Sequence, residues 1–167
     1  MKEEIKGIIP RVVVYGSFAT WNYAMFITSK RIALIQTGYD YAWGWSFYLD
    51  IVNHYRTREK RKDIKEINLD TLLAEHIVNK EIPLEKLVEI KIRRDVFNRY
   101  RIEIFGLNKR NIKKKLFVGY FALPEHQIGL LKGNKEDLKS ALYQYALNCQ
   151  MQIEKIIGEK LTQKIGS

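Results

Sequence analysis

The sequence predicts an α+β fold with two β-hairpins, a helical insertion between them and a long helix at the C-terminal end. Three observations carry this prediction. Trp21 to Thr37 holds two runs of aromatic, β-branched and large aliphatic residues joined by a two-residue turn. Two runs between Val88 and Ile104 alternate apolar and charged residues, and apolar residues from Leu138 onward recur at helical spacing.

The first half of the chain predicts three strands. Ile8–Val14 reads as a first strand, with Pro10 near its start, where a missing N–H is tolerated. Tyr23–Thr28 and Arg31–Thr37 then form a central hairpin around the turn Ser29-Lys30. Gly, Tyr and Asp at positions 38–40 end the β pattern, so the first part of the core is expected to cover about residues 8–38.

The segment of about residues 39–81 is expected to be a helical insertion. Ala42–Tyr55 is rich in aromatics without strict alternation, and the charged run Arg56–Glu66 is expected to continue the same helix. Asn68 or Asp70 could cap a second helix, Leu69–Asn79. Its expected buried face is formed by Leu69, Leu72, Leu73, His76 and Ile77.

The second half predicts another hairpin and one further strand. Val88, Ile90 and Ile92 alternate with charged residues, as do Tyr100, Ile102 and Ile104 across the turn Asp95–Asn98. Both apolar faces point inward only if paired residue numbers sum to an even number, because a one-residue slip would bury arginines. Leu107–Lys115 is expected to be a basic loop, and Leu116–Leu123 a last strand ending before Pro124.

A long amphipathic helix, about residues 134–162, is predicted to follow. Asn134 is a suitable N-cap with acidic residues in the first turn. The apolar stripe persists to about Leu161, which corresponds to a helix of roughly 40 Å. A helix that only covers one end of a small β domain needs fewer residues, so the end of the stripe must find another surface, in self-association or against the insertion.

Two segments resemble prokaryotic pleckstrin-homology-like (PH-like) and GRAM domains. They are FITSKRIALI at Phe26–Ile35 and IPLEKLVEIKI at Ile82–Ile92, and GSFATWNYA at Gly16–Ala24 also resembles the approach to the hairpin in this family. The resemblance covers roughly residues 8–147 without Tyr39–Glu81. It implies a single domain over 1–167, with a core of about 8–38 and 82–147, built as an antiparallel barrel or two packed sheets capped by the C-terminal helix. It also implies a binding module for lipid headgroups or proteins rather than an enzyme.

The residues offer little for catalysis or metal binding. The histidines His54, His76 and His126 have no metal-ligand spacing, and Cys149 lies on the apolar stripe, where a buried packing role is expected. No nucleotide-binding or nucleophile-elbow motif occurs, so we expect a non-enzymatic protein without a cofactor. The net charge of +10 favours anionic partners, and the absence of a signal-like or spanning segment predicts a cytoplasmic, soluble or membrane-peripheral protein.

Three surfaces are candidate binding sites. The insertion combines aromatics with bases, which suits a membrane or protein contact unless these aromatics pack internally; its candidates are Trp43, Trp45, Phe47, Tyr48, Arg56, Arg58, Lys60, Arg61 and Lys62. The basic loop, with Arg93, Arg99 and Arg101 on the neighbouring sheet face, could bind phosphate or simply be a solvated edge; its candidates are Lys109, Arg110, Lys113, Lys114 and Lys115. The end of the helix could form an oligomer interface; its candidates are Ile153, Ile156, Ile157 and Leu161.

These surfaces support three functional hypotheses. The first is a peripheral adaptor that contacts an anionic membrane surface or a protein partner through the insertion. The second is a homo-oligomeric assembly module that uses the insertion and the terminal helix. The third, less favoured, is non-specific nucleic-acid binding through the basic loop, because the outward positions of the second hairpin are charged rather than aromatic.

Overall fold

The structure, a computed structural model, describes residues 3–17, 19–41, 46–48, 68–124, 127–128 and 134–165. For residues 39–41, 46–48 and 159 it describes the backbone only. The fold is α+β, as the sequence predicts. The nine strands of the described residues are β1 Ile5–Tyr15, β2 Ala19–Thr28, β3 Arg31–Tyr41, β4 Ser46–Tyr48, β5 Lys80–Pro83, β6 Leu87–Arg94, β7 Tyr100–Leu107, β8 Lys113–Phe121 and β9 Leu161–Gln163. The helices are α1, Leu69–Glu75, and α2, Lys135–Ile157.

The strands form one sheet in the order β4-β3-β2-β1-β8-β7-β6-β9, with β5 pairing the other end of β3. All pairs are antiparallel except β6 with β9, which is parallel. The sheet is strongly curved. Lys80 of β5 and Phe117 of β8 lie four strand spacings apart in this order, about 19 Å in a flat sheet, yet the Lys80 Nζ is 5.9 Å from the Phe117 ring. β1, which lies between these strands in the order, has a bulge between Ile9 and Val12, and bulges bend the strand that carries them.

The curvature allows both halves of the sheet to share one apolar core. This core takes fully buried side chains from the first hairpin, such as Met25 and Leu34, and from the second, such as Ile90 and Ile104. Helix α2 adds Ala146, Cys149 and Ile153 to the same cluster. Burial of this kind provides the main driving force for folding.

The first hairpin is buried on both faces. Ala24, Phe26, Ala33 and Ile35 point away from the shared core and pack with Leu69 of α1 in a second cluster. Asn68 caps α1 by accepting hydrogen bonds from the backbone N–H groups of residues 70 and 71, which confirms one of the two predicted caps. The helix ends at Glu75, before the expected Asn79, and Ile77 is exposed rather than part of the buried face.

The second hairpin has the predicted register. Ile90 pairs with Ile104, Ile92 with Ile102 and Arg94 with Tyr100, all even sums. A bulge between Leu87 and Glu89 changes the start of β6, so that Leu87 is buried in place of the expected Val88. Strand β8 begins at Lys113, three residues before the expected Leu116, so the last three residues of the predicted basic loop are strand.

The C-terminal helix begins as predicted and ends earlier. Asn134 caps α2 by accepting a hydrogen bond from the backbone N–H of Glu136. The helix ends at Ile157, where Gly158 adopts a φ of 58°, a conformation that glycine tolerates best. The 23-residue helix is therefore roughly 35 Å long. Leu161 is not helical but lies in β9, opposite Ile90 of β6.

The prediction of a helical insertion is wrong for the described residues at its start. β3 continues to Tyr41, and Ser46–Tyr48 is a strand paired with it, so this part of the segment extends the first hairpin. Residues 42–45 and 49–67, which hold the rest of the predicted insertion helix, lie outside the described residues.

Candidate anion-binding surface

The outward face of β6, β7 and β8 carries a group of ionic side chains, here called the basic face. It arises from strand alternation, because Ile90, Ile92, Ile102 and Ile104 fill the core while their neighbours in sequence point the other way. Its members are Glu89, Lys91, Arg93, Arg101, Glu103, Phe105, Lys113 and Lys115.

Glu89 anchors one end of the basic face. Its carboxylate pairs with Lys113 and Lys91 and accepts a hydrogen bond of 2.5 Å from the Thr162 hydroxyl of β9. The Lys113 and Thr162 hydrogen bonds lower the pKa of Glu89 to about 2. Glu89 therefore remains ionised at neutral pH and fixes two lysines.

Glu103 lies at the centre of the face, with only 3% of its side chain exposed. Arg101 and Lys115 reach its Oε1 at 2.6 and 2.8 Å, and Arg93 lies 3.4 Å from Oε2. Burial alone would raise the pKa of Glu103, but the Lys115 hydrogen bond and the charges of Arg101 and Arg93 lower it below its usual value. The buried carboxylate is thus paired, as a buried charge must be.

The three lysines of the basic face lie around the ring of Phe105. The Nζ atoms of Lys91, Lys113 and Lys115 lie 5.5, 5.2 and 5.5 Å from the centroid of its ring. These distances allow cation–π attraction to a ring whose residue lies opposite Glu89 and two positions from Glu103. The lysines are therefore positioned before any ligand arrives.

The basic face keeps an excess of positive charge. Five cations surround two carboxylates, which leaves three positive charges uncompensated at neutral pH. Three of those cations, Arg93, Lys113 and Lys115, have 42 to 50% of their side chains exposed. Their remaining N–H groups can donate to phosphate oxygens.

The predicted phosphate-binding residues are only partly brought together. Lys113 and Lys115 lie on the basic face, while Lys114 alternates to the other side of β8. Lys109 and Arg110 lie exposed in the turn between β7 and β8, at the end of the sheet near Lys113. The structure therefore places two of the five residues on the basic face and two more at its end, and phosphate binding by them stays a prediction.

The predicted oligomer interface is wrong for two of its residues. Ile153 and Leu161 are buried in the chain's own core, because α2 packs on the curved sheet and β9 covers the edge of β6. Ile156 and Ile157 are half-buried against the same core, and Ile156 lies against Gly7 of β1. The apolar stripe thus serves packing within one chain.

The predicted membrane-binding residues of the insertion mostly lie outside the described residues. These are Trp43, Trp45, Arg56, Arg58, Lys60, Arg61 and Lys62. For Phe47 and Tyr48 the structure describes only the backbone, in β4. Their role in binding stays a prediction.

Glu89, Lys91, Glu103 and Phe105 of the basic face were not among the candidates from sequence. The observed register places Lys91 opposite Glu103 and Glu89 opposite Phe105. Alternation in the two runs predicts the even parity of this register but not which of the even pairings forms. The bases Arg93, Arg101, Lys113 and Lys115 were candidates from sequence, although residues 113–115 read as loop rather than strand.

Among the described residues, no three His, Cys, Asp or Glu side chains are grouped as metal ligands. Cys149 is buried as expected, and burial raises the pKa of its thiol to about 12. A cleft of about 290 Å³ between β2 and β8 is lined by mostly apolar side chains with Lys80 and Lys115. No helix among the described residues is both long and apolar enough to span a bilayer.

Comparisons with known proteins add one distant structural neighbour. No family model and no curated protein matches the chain. One solved structure, the hSac2 domain from the human phosphoinositide phosphatase Sac2, is similar with a TM-score of 0.47 and 12% sequence identity, over 99% of this chain and 79% of that one.

Proposed function

We propose that the protein is a non-enzymatic binding module of PH-like type that attaches peripherally to anionic membrane surfaces through the basic face. The observation that carries the proposal is the cluster of Lys91, Lys113 and Lys115 around Phe105, held in place by Glu89 and Glu103. Side chains that are already ordered lose less conformational entropy when they bind a ligand.

The size of the charge excess fits a reversible membrane contact. Three uncompensated positive charges correspond to about 3 kcal/mol, at about 1 kcal/mol for each base near an anionic bilayer. That attraction alone gives weak binding that salt suppresses, since surface charges are screened over about 10 Å. A second contribution, from the insertion or from another apolar contact, would make attachment stable.

Flotation with lipid vesicles tests the proposal. We expect the full chain to bind phosphatidylcholine vesicles that contain phosphatidylserine, to ignore pure phosphatidylcholine, and to bind more weakly as salt increases. The triple variant Lys91→Gln/Lys113→Gln/Lys115→Gln should weaken binding by about tenfold to a hundredfold, because the face loses three charges.

A matched control separates the basic face from net charge. Lys135, Lys139 and Lys155 are exposed on α2, so their triple Gln variant loses the same charge elsewhere. Equal losses for both triple variants, or no flotation at low salt, would contradict the proposal. Tighter binding to a DNA duplex than to anionic vesicles at equal salt would make nucleic acid the partner instead.

A further inference from the structure

The turn between β6 and β7 exposes two apolar side chains at the end of the basic face. Val96 is 90% exposed and Phe97 is 73% exposed, and both are flanked by arginines at positions 93, 94 and 99. Apolar side chains at the tip of a hairpin beside bases combine the two features that suit a bilayer interface.

The turn is held in one conformation by its own hydrogen bonds. One Asp95 carboxylate oxygen accepts from the backbone N–H groups of Phe97 and Arg99, both at 2.9 Å. The other accepts from the Arg99 guanidinium at 2.8 Å, and Asn98 adopts a φ of 61° that closes the loop. Val96 and Phe97 are therefore presented by an ordered scaffold.

Phe97 lies on the same side of the sheet as the basic face. Tyr100 is buried, so its neighbours Arg99 and Arg101 both point outward. The Arg99 guanidinium lies 5.0 Å from the Phe97 ring, 4.5 Å from Tyr120 and 5.1 Å from Tyr15. Tyr15 and Tyr120 also contact each other, with ring centroids 5.2 Å apart. The face thus has a lysine end around Phe105 and an aromatic end around Arg99.

We infer that Val96 and Phe97 form a wedge that enters the interface of an anionic bilayer and orients the protein on it. The inference rests on the proposed function and names the part of the surface that reaches below the headgroups. Phe97 and Val96 lie at the depth of the acyl boundary, while Arg93, Arg94 and Arg99 meet lipid phosphates. Charge complementarity selects an anionic bilayer, because the bases surround the wedge and the single acid of the turn, Asp95, is paired with Arg99.

A single-cysteine reporter tests where the protein touches the bilayer. Cys149 is buried, so a thiol-reactive fluorophore that senses polarity will label an introduced exposed cysteine selectively. Val96→Cys carries the reporter in the wedge, and Ile112→Cys carries it in the turn between β7 and β8, where Ile112 is also exposed. With phosphatidylserine vesicles we expect a blue shift and quenching by brominated acyl chains at position 96, and neither at position 112.

Removing the wedge provides the second readout. Val96→Ser/Phe97→Ser should lower vesicle affinity about tenfold or more while the salt dependence remains, and Ile112→Ser should leave affinity unchanged. Because these side chains are exposed, the unfolding midpoint should not move in either variant.

The outcomes separate the wedge from the proposed function. The wild type could bind vesicles while the reporter at position 96 shows no blue shift, or the Val96→Ser/Phe97→Ser variant could bind with wild-type affinity. Either result would overturn the wedge and leave membrane binding in place. A shift at position 112 rather than 96 would place the contact at the opposite end of the face and overturn the wedge as well. No binding of the wild type to anionic vesicles would overturn both.

Discussion

The two hairpins of this protein have the same β geometry but differ in how many of their faces are buried. β2 and β3 are buried on both faces, by the shared core on one side and by α1 on the other. β6 and β7 are buried on one face only, and their other face carries ions around Glu89 and Glu103. Among the described residues, the first hairpin is thus enclosed in the fold, whereas the second leaves one ionic face at the surface.

The comparison shows why the two hairpins differ in sequence. A strand covered on both sides needs apolar residues throughout, so Tyr23–Thr28 and Ile32–Ile35 form nearly continuous apolar runs. In a strand with one solvent-exposed face, apolar and charged residues alternate, as Ile90 and Ile92 alternate with charged residues. Loss of alternation therefore signals a covering element, here α1, and retained alternation signals an outer face.

The largest expected effect comes from an outward position of the first hairpin. Phe26 points away from the main core yet is 2% exposed, because it packs with Leu69 and its neighbours. Phe26→Ala should lower the free energy of unfolding by about 3–5 kcal/mol in urea titrations. Arg93→Ala, at an outward position of the second hairpin, should cost about 1 kcal/mol or less. Similar losses for both variants would remove the distinction between the hairpins.

A smaller effect should appear as a pH dependence that arises in the second hairpin. The pKa of Glu89 is lowered from 4.5 to about 2 in the folded protein, chiefly by its hydrogen bond from Lys113. A carboxyl with a lowered folded pKa stabilises the protein above its unfolded pKa, and this contribution is lost as the pH falls from about 4.5 towards 2. The urea concentration at the unfolding midpoint should therefore decrease as the pH is lowered through this range. The decrease should be smaller for Glu89→Gln than for the wild type. Equal slopes would show that Glu89 has no preferential partner in the folded state.

The smallest expected effect concerns the two turns. Asn98 has a φ of 61°, whereas Ser29 and Lys30 lie outside the positive-φ region. Asn98→Ala should lower the free energy of unfolding by roughly 1 kcal/mol, because a Cβ disfavours the left-handed conformation and alanine lacks the polar side chain that eases it. Lys30→Ala, in the turn of the first hairpin, should have an effect within about 0.5 kcal/mol. Thermal or urea unfolding of both variants measures the difference.

Much of the fold could be predicted because local patterns and the final packing agree. The turn Ser29-Lys30, the caps Asn68 and Asn134, and the even-sum register of the second hairpin are all local signals that the structure retains. The end of α2 was misplaced because Leu161 continues a helical stripe in sequence. Leu161 is a strand residue because it pairs with β6, which is distant in sequence and gives no local signal at Leu161.

The candidate site was harder to predict, because its members are joined by tertiary structure. Lys113 and Lys115 belong to the basic face only because β8 begins early and lies beside β7. The wedge was overlooked for a different reason: Val96 and Phe97 are apolar residues inside a segment that reads as a turn, and composition does not distinguish an exposed pair from a packed one.

The pairing of β9 with β6 means that the sheet cannot be fully formed until the C-terminal residues of the chain have been synthesised. Thr162 of β9 donates to Glu89, which is 73 positions earlier in the chain. During synthesis, the outer edge of β6 therefore stays open, and Glu89 lacks this donor, until β9 has been made. β9 follows α2 in the chain, so that edge is among the last to be paired. We therefore expect the second hairpin of a nascent chain to be exposed to intermolecular strand pairing until the C-terminal residues are in place.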